Sequence, residues 1–177
     1  GVSSAASDVY KRQGNSKIVG GAGAVQLSST TLNRPINLGL GSNAGGTALG
    51  LSSNPGGAPD EVNTITTTGQ VTIGSATHIG TITIDGDAII ANSTAQTLLV
   101  QNNGGIVVNA NLTANPVGGP VINLDTPGTI IDTGGTSAII TANKLKIIQS
   151  GGIGTTLQPL QTNVNLLDAA NSGAGDL

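Results

Sequence analysis

Residues 79–91 read Ile79-Gly80-Thr81-Ile82-Thr83-Ile84-Asp85-Gly86-Asp87-Ala88-Ile89-Ile90-Ala91. Two short β-branched runs flank an Asp-Gly-Asp turn, and Ile82-Thr83-Ile84 puts aliphatic side chains on one face and Thr on the other. The same grammar continues on both sides. Strands are expected at Thr64 to Thr67, Gln70 to Ile73, Ile79 to Ile84, Ala88 to Ala91, Thr97 to Gln101 and Gly105 to Leu112. Further ones are expected at Pro120 to Leu124, Thr129 to Asp132, Ala138 to Thr141 and Lys144 to Gln149. No window shows a strong 3.6-residue apolar period; the weak helical candidates are Ser52 to Asn63 and Thr162 to Ala170.

Composition narrows what such strands can build. The 177 residues contain no Cys, Met, Trp or Phe and a single Tyr, while 37 % are hydrophobic and 8 % charged. A core without large aromatics must be assembled from thin aliphatic layers. Strands arriving about every 8–10 residues fit a sandwich, a barrel or a solenoid. Short strands and recurring Gly-Gly turns (Gly104-Gly105, Gly118-Gly119, Gly134-Gly135) favour the solenoid. In a parallel coil each rung stacks about 4.8 Å above the last, so inward Ile and Val columns fill a narrow lumen. The expected architecture is therefore all-β, a parallel β-helix. Rungs of roughly 20–25 residues give about seven of them. Residues 14–59, rich in Gly and thinner in apolar residues, should coil more loosely, with a loop protruding near Ser52 to Glu61.

The first residues lack this rhythm. Ser3 to Gln13 (SSAASDVYKRQ) resembles the in-frame translation of a transposase adapter used in preparing sequencing libraries, so residues 1–13 are set aside as a non-native tail. Residues 14–177 are expected to be one β-helical repeat region belonging to a larger protein.

Several function classes fit the composition poorly. A net charge of −3 with six Lys plus Arg does not suit nucleic-acid binding. Apolar runs of a few residues are too short to span a bilayer, and zero Cys removes disulfides and thiolate metal sites.

Candidate chemistry is sparse. Asp85 and Asp87 could hold calcium or act as acid and base, but Asp-Gly-Asp between strands is a turn signal first. His78 is the sole histidine; a Ser-His-Asp set could be drawn from it, yet no G-x-S-x-G elbow occurs, and an exposed position is expected. A β-helical lyase or hydrolase needs clustered acids or a cationic base, and no Lys or Arg lies between Arg34 and Lys144. Thr64/Thr66, Thr66/Thr68 and Thr81/Thr83 suggest a threonine array of the ice-binding kind, but the pairing lapses after Thr83. Gly104-Gly105-Ile106 and Gly151-Gly152-Ile153-Gly154 lack the Lys-Ser/Thr and helix of a phosphate loop. Asn92-Ser93-Thr94 and Asn111-Leu112-Thr113 are glycosylation sequons in form. No catalytic, cofactor-binding or metal-binding residues are assigned, and no cofactor.

Several segments together resemble a known family. They are Arg34-Pro35-Ile36-Asn37-Leu38-Gly39, Leu49-Gly50-Leu51-Ser52, Glu61-Val62-Asn63-Thr64-Ile65, Gln70-Val71-Thr72-Ile73-Gly74, Gly151-Gly152-Ile153-Gly154 and Pro159-Leu160-Gln161-Thr162-Asn163-Val164. They resemble repeats of filamentous-haemagglutinin-like bacterial exoproteins. That resemblance implies a right-handed parallel β-helix, a secreted or cell-surface location and a non-catalytic stalk of an adhesin. Its partners would be neighbouring coils of the same chain, and host or biofilm ligands. The alternative is a glycan- or ice-binding solenoid, and a rung-by-rung array of identical exposed side chains would mark it.

Overall fold

Because strands of three to five residues satisfy few backbone groups internally, the fold is defined by what each strand pairs with. The computed structural model describes residues 18–39, 47–53, 60–90, 97–114 and 120–170. The strands are, in chain order, β1 (Ile18–Gly21), β2 (Val25–Leu27), β3 (Ile36–Leu38), β4 (Leu49–Leu51), β5 (Ile65–Thr67), β6 (Gln70–Gly74), β7 (Ile82–Ile84) and β8 (Ala88–Ile90). They continue with β9 (Thr97–Gln101), β10 (Ile106–Val108), β11 (Leu112–Ala114), β12 (Val121–Asp125), β13 (Thr129–Asp132), β14 (Ile139–Gln149), β15 (Gly152–Ile153) and β16 (Gln161–Ala169). The described pairings are all parallel.

The chain is a β-solenoid of about four turns. One face runs β2-β6-β9-β12-β14 and a second runs β15-β13-β10-β7-β3-β4, while β8 and β11 pair onward to the first half of β14. That strand, 11 residues long, passes from one face to another without a break. Ile140 and Thr141 pair with β11, and Lys144 to Gln149 pair with β12. The two strands expected at Ala138 to Thr141 and Lys144 to Gln149 are thus one. β1 and β5 form a small separate pair.

Inward side chains stack in columns. Ile36, Ile82, Ile106 and Ile130 align across the second face, and all are buried. On the first face Val71, Leu98, Ile122 and Leu145 form one column, and Ile73, Val100, Leu124 and Ile147 form another. Like sits on like at the strand spacing, so small branched residues close the lumen without aromatics. Each buried Ile or Leu contributes about 1.5–3 kcal/mol by leaving water.

Three expectations are corrected. About four turns form rather than the seven expected, since the described strand β4 adds no turn between Ile36 and Ile82 but lies on the edge of β3. Ile36 pairs directly with Ile82, and β4 lies parallel to β3 on its outer edge. The described part of residues 14–59 holds β1 to β4, with β4 as a covering strand at the edge. Second, Thr162 to Ala170 is not helical: all but Ala170 lies within β16, held along β14. The other helical candidate, Ser52 to Asn63, is turn and coil at its described ends, and residues 54–59 lie outside the described residues. Third, Gly105 to Leu112 is two strands, β10 and β11, separated by a corner at Asn109 to Asn111. Residues 1–13 also lie outside the described residues.

At the far end β16 pairs only with β14 among the described residues, which leaves Leu166 and Leu167 about half exposed. The columns make a direct prediction. Ile106→Ala should lower the unfolding free energy by about 2–5 kcal/mol. Leu157→Ala, at a residue 92 % exposed, should change it by no more than about 0.5 kcal/mol. Urea unfolding followed by circular dichroism measures both, and equal effects would contradict the stacked core.

Candidate functional site

The polar side chains gather at the corners where the chain passes from face to face, and they pair from one turn to the next. Asp85 sits in the corner after β7. Its carboxylate accepts from Asn37 Nδ2 at 3.4 Å and from Asn109 Nδ2 at 3.3 Å, and Thr133 Oγ1 donates to Asn109 Oδ1 at 3.3 Å. Asp87 accepts from Asn111 Nδ2 at 3.0 Å and from its backbone N–H at 3.3 Å, while Asn111 Oδ1 accepts from the N–H of Ile139 at 3.0 Å. The two carboxylates therefore belong to separate ladders that run up the exposed corner. Among the described residues no group of three or more His, Cys, Asp or Glu is placed to hold a metal.

Two acids that sequence reasoning passed over are buried. Asp125 accepts from Gln101 Nε2 at 2.6 Å, and Asp132 Oδ1 accepts from the N–H of Gly135 at 2.9 Å. Gln101 and Asp125 are 24 residues apart, as are Asp85 and Asn109. That interval is one turn of the solenoid and was the available signal. The residue types differ from turn to turn, so no repeated motif displays it.

His78 reverses an expectation. It is not exposed in a turn but fully buried, 0 % accessible, in the corner between β6 and β7. Asn102, Thr126 and Ser150 occupy the equivalent corners of later turns, and all three are buried. Asn102 Nδ2 donates to the carbonyls of Gly80 at 2.8 Å and Gly105 at 2.7 Å, tying two turns together. Close backbone stacking explains the corner glycines: a Cβ on Gly104 would stand 2.2 Å from the carbonyl oxygen of Ile79. Neither ring nitrogen of His78 has a hydrogen-bond partner among the described residues, so no Ser or Asp completes a hydrolytic set with it. Burial alone pushes its pKa below the ordinary imidazole value.

The threonines do not form an array. Thr83 stands in register between Asn37 and Val107, with Ile131 beyond, so its outward column changes chemistry at every turn. Thr64 Oγ1 donates to the Glu61 carbonyl at 2.7 Å and Thr68 Oγ1 to that of Gly21 at 3.3 Å, which are turn contacts. Gly104 and Gly105 form the corner ahead of β10, and Gly151 that ahead of β15. Of the two sequons, Asn111 is engaged in its ladder and residues 92–94 lie outside the described residues.

The richest polar cluster closes the loop behind β4. The N–H of Ser52 donates to Glu61 Oε2 at 2.8 Å, Asn63 Nδ2 reaches Asp60 Oδ1 at 2.8 Å and Ser53 Oγ at 3.2 Å, and Arg34 Nη2 donates to the Ala48 carbonyl at 3.0 Å. Its chemistry is that of a fastener: Arg34 holds Ala48 ahead of β4, and Glu61 and Asn63 hold Ser52 and Ser53 after it.

No family model matches the chain, and neither a curated protein nor a solved structure matches it.

The ladders set an expectation for the acids. Asp85→Ala and Asp87→Ala should each cost about 1 kcal/mol or less. Having no common partner, they should add within about 0.5 kcal/mol. Thermal melts with and without calcium are the measurement; a calcium-dependent rise in the wild-type midpoint that both substitutions abolish would instead reveal a metal site.

Proposed function

We propose that this chain is a structural stalk segment of a secreted or surface-anchored bacterial exoprotein, non-catalytic, of the filamentous-haemagglutinin-like kind. The observation that carries the reading is the use of side chains from turn to turn. Inward aliphatics stack on inward aliphatics, and corner polar groups bond to corner polar groups one turn away. Such a molecule directs its chemistry along its own axis. It resists bending and stretching through parallel backbone ladders, and it presents a mixed, weakly acidic outer surface.

The cluster behind β4 fits the same reading. An uncovered parallel edge invites pairing with other chains, and a return strand held by Arg34, Asp60, Glu61 and Asn63 covers that edge on the second face. The absence of Cys is compatible with an exported chain.

Single-molecule pulling from the two chain ends tests the mechanical role. Turns of 24 residues should peel off in steps of about 80 Å of contour length. Extension at low force without such steps would overturn the stalk reading. So would saturable binding to one sugar class on a glycan array, or inhibition of ice recrystallisation.

A further inference from the structure

The corner that carries His78 is built differently from its counterparts. Between β6 and β7 the chain takes seven residues, Ser75 to Thr81, whereas four residues, Asn102 to Gly105, join β9 to β10. Ala76, Thr77 and Ile79 of this longer corner are exposed, and His78 is its buried side chain. The N–H of His78 donates to the Ser75 carbonyl at 3.0 Å, and the imidazole lies against the backbone: a Cβ on Gly80 would stand 2.9 Å from Nε2. The corner is clipped on both sides. The N–H groups of Ile79 and Gly80 donate to the Leu32 carbonyl at 2.8 and 3.0 Å, and the N–H of Asn103 donates to the His78 carbonyl at 2.6 Å. His78 thus sits where the first turn is fastened to the second and the second to the third.

We propose that this corner is an acid-sensitive latch, closed around a neutral His78 and opened when the imidazole takes up a proton. An imidazolium has two N–H donors and a positive charge, and neither ring nitrogen has a partner in the closed corner. In the closed corner the packed elements make no hydrogen bond to the ring among the described residues. The β2–β3 connection brings Arg34, a like charge, whose carbonyl oxygen lies beside Gly80 and whose guanidinium donates to Ala48. The β9–β10 side brings Asn102, whose amide N–H groups are turned onto Gly80 and Gly105 and whose Oδ1 is buried without a partner among the described residues, and no titratable residue between Thr97 and Gly105. Asp125, one turn further, accepts from Gln101 through Oδ2 while its Oδ1 has no partner among the described residues, and Asp85 is in the exposed ladder beyond β7. β6 and β7 themselves carry no charge.

The direction follows from proton linkage. The open corner binds a proton with an affinity near the ordinary value of about 6.5, and the closed corner binds it more weakly. Closure is therefore at full strength above about pH 7 and is lost progressively as pH falls through 6.5 toward the lower closed-state value. The population of the open corner rises by up to about tenfold per pH unit in that window. The chain suits the test, since it has one histidine and no cysteine. Between about pH 5 and 7 no other side-chain type has its ordinary pKa.

The experiment is hydrogen exchange by mass spectrometry on the full chain at pH 7.5, 6.5 and 5.5, with intrinsic rates divided out, beside an NMR titration of the single imidazole. Protection at residues 78–80 and 103 should fall by up to about tenfold per pH unit below 6.5, while protection in residues 144–148 of β14 stays constant. His78→Asn and His78→Thr, which place in this corner the residue types of the next two, should hold protection flat across the range. The proposal is overturned by an imidazole titrating near 6.5 with unchanged protection, by a loss of equal size in every strand, or by the same pH dependence in either variant. Should both variants fail to fold, the wild-type titration and exchange alone decide.

Discussion

Parallel register is the constraint on which the molecule depends. A short strand on one face has too few hydrogen bonds and too little apolar surface to stand alone, so each turn must bring the chain back over its predecessor with the same residues facing in. Ile82, Ile106 and Ile130 meet that condition through backbone ladders, and the ladders exist because the side chains stack. A one-residue slip would turn an inward Ile column outward. Register and core are thus one property seen from the backbone and from the side chains.

The corners are where that constraint becomes expensive and where the polar chemistry collects. Strands from adjacent faces meet at an angle, their backbones approach closely, and groups that cannot join a ladder need other partners. Glycine at Gly104 removes the Cβ that would strike Ile79, and Asn102 supplies two N–H donors to carbonyls of adjacent turns. On the exposed side, Asn37, Asp85, Asn109 and Thr133 form a hydrogen-bonded chain along the axis. The same side-chain types that would attract attention as catalytic or calcium-binding groups are thereby occupied in joining turns. His78 fills its corner by shape, and neither of its ring nitrogens has a partner among the described residues.

The covering strand β4 gives the solenoid a direction. On the second face the edge of β3 is occupied, whereas β16 at the opposite end pairs on one side only among the described residues. The fastening of β4 is polar rather than apolar: carboxylates of Asp60 and Glu61 receive N–H groups from Asn63 and Ser52. Polar fastening suits an edge strand, because it leaves no sticky apolar surface behind.

Much of the fold was legible one strand at a time. Thr97–Gln101 and Thr129–Asp132 match their expected bounds, and the Ile82-Thr83-Ile84 alternation faces as anticipated. Legibility ended where a residue's fate depends on the turn beside it. Asn109 to Asn111 looked like the middle of one strand because alternation carries no information about corners. The apolar spacing in Val164, Leu166 and Leu167 allowed a helix until the edge of β14 supplied ladder partners. His78 looked like an exposed turn residue because its burial is imposed by Leu32 and Asn103, on the turns before and after it. By itself the sequence determined short aliphatic-in, polar-out strands and a core without aromatics, since these follow from side-chain alternation and volume. Only the tertiary structure decided which residues stack, how many turns form and where the edge is covered, because each of those depends on contacts a full turn or more away along the chain.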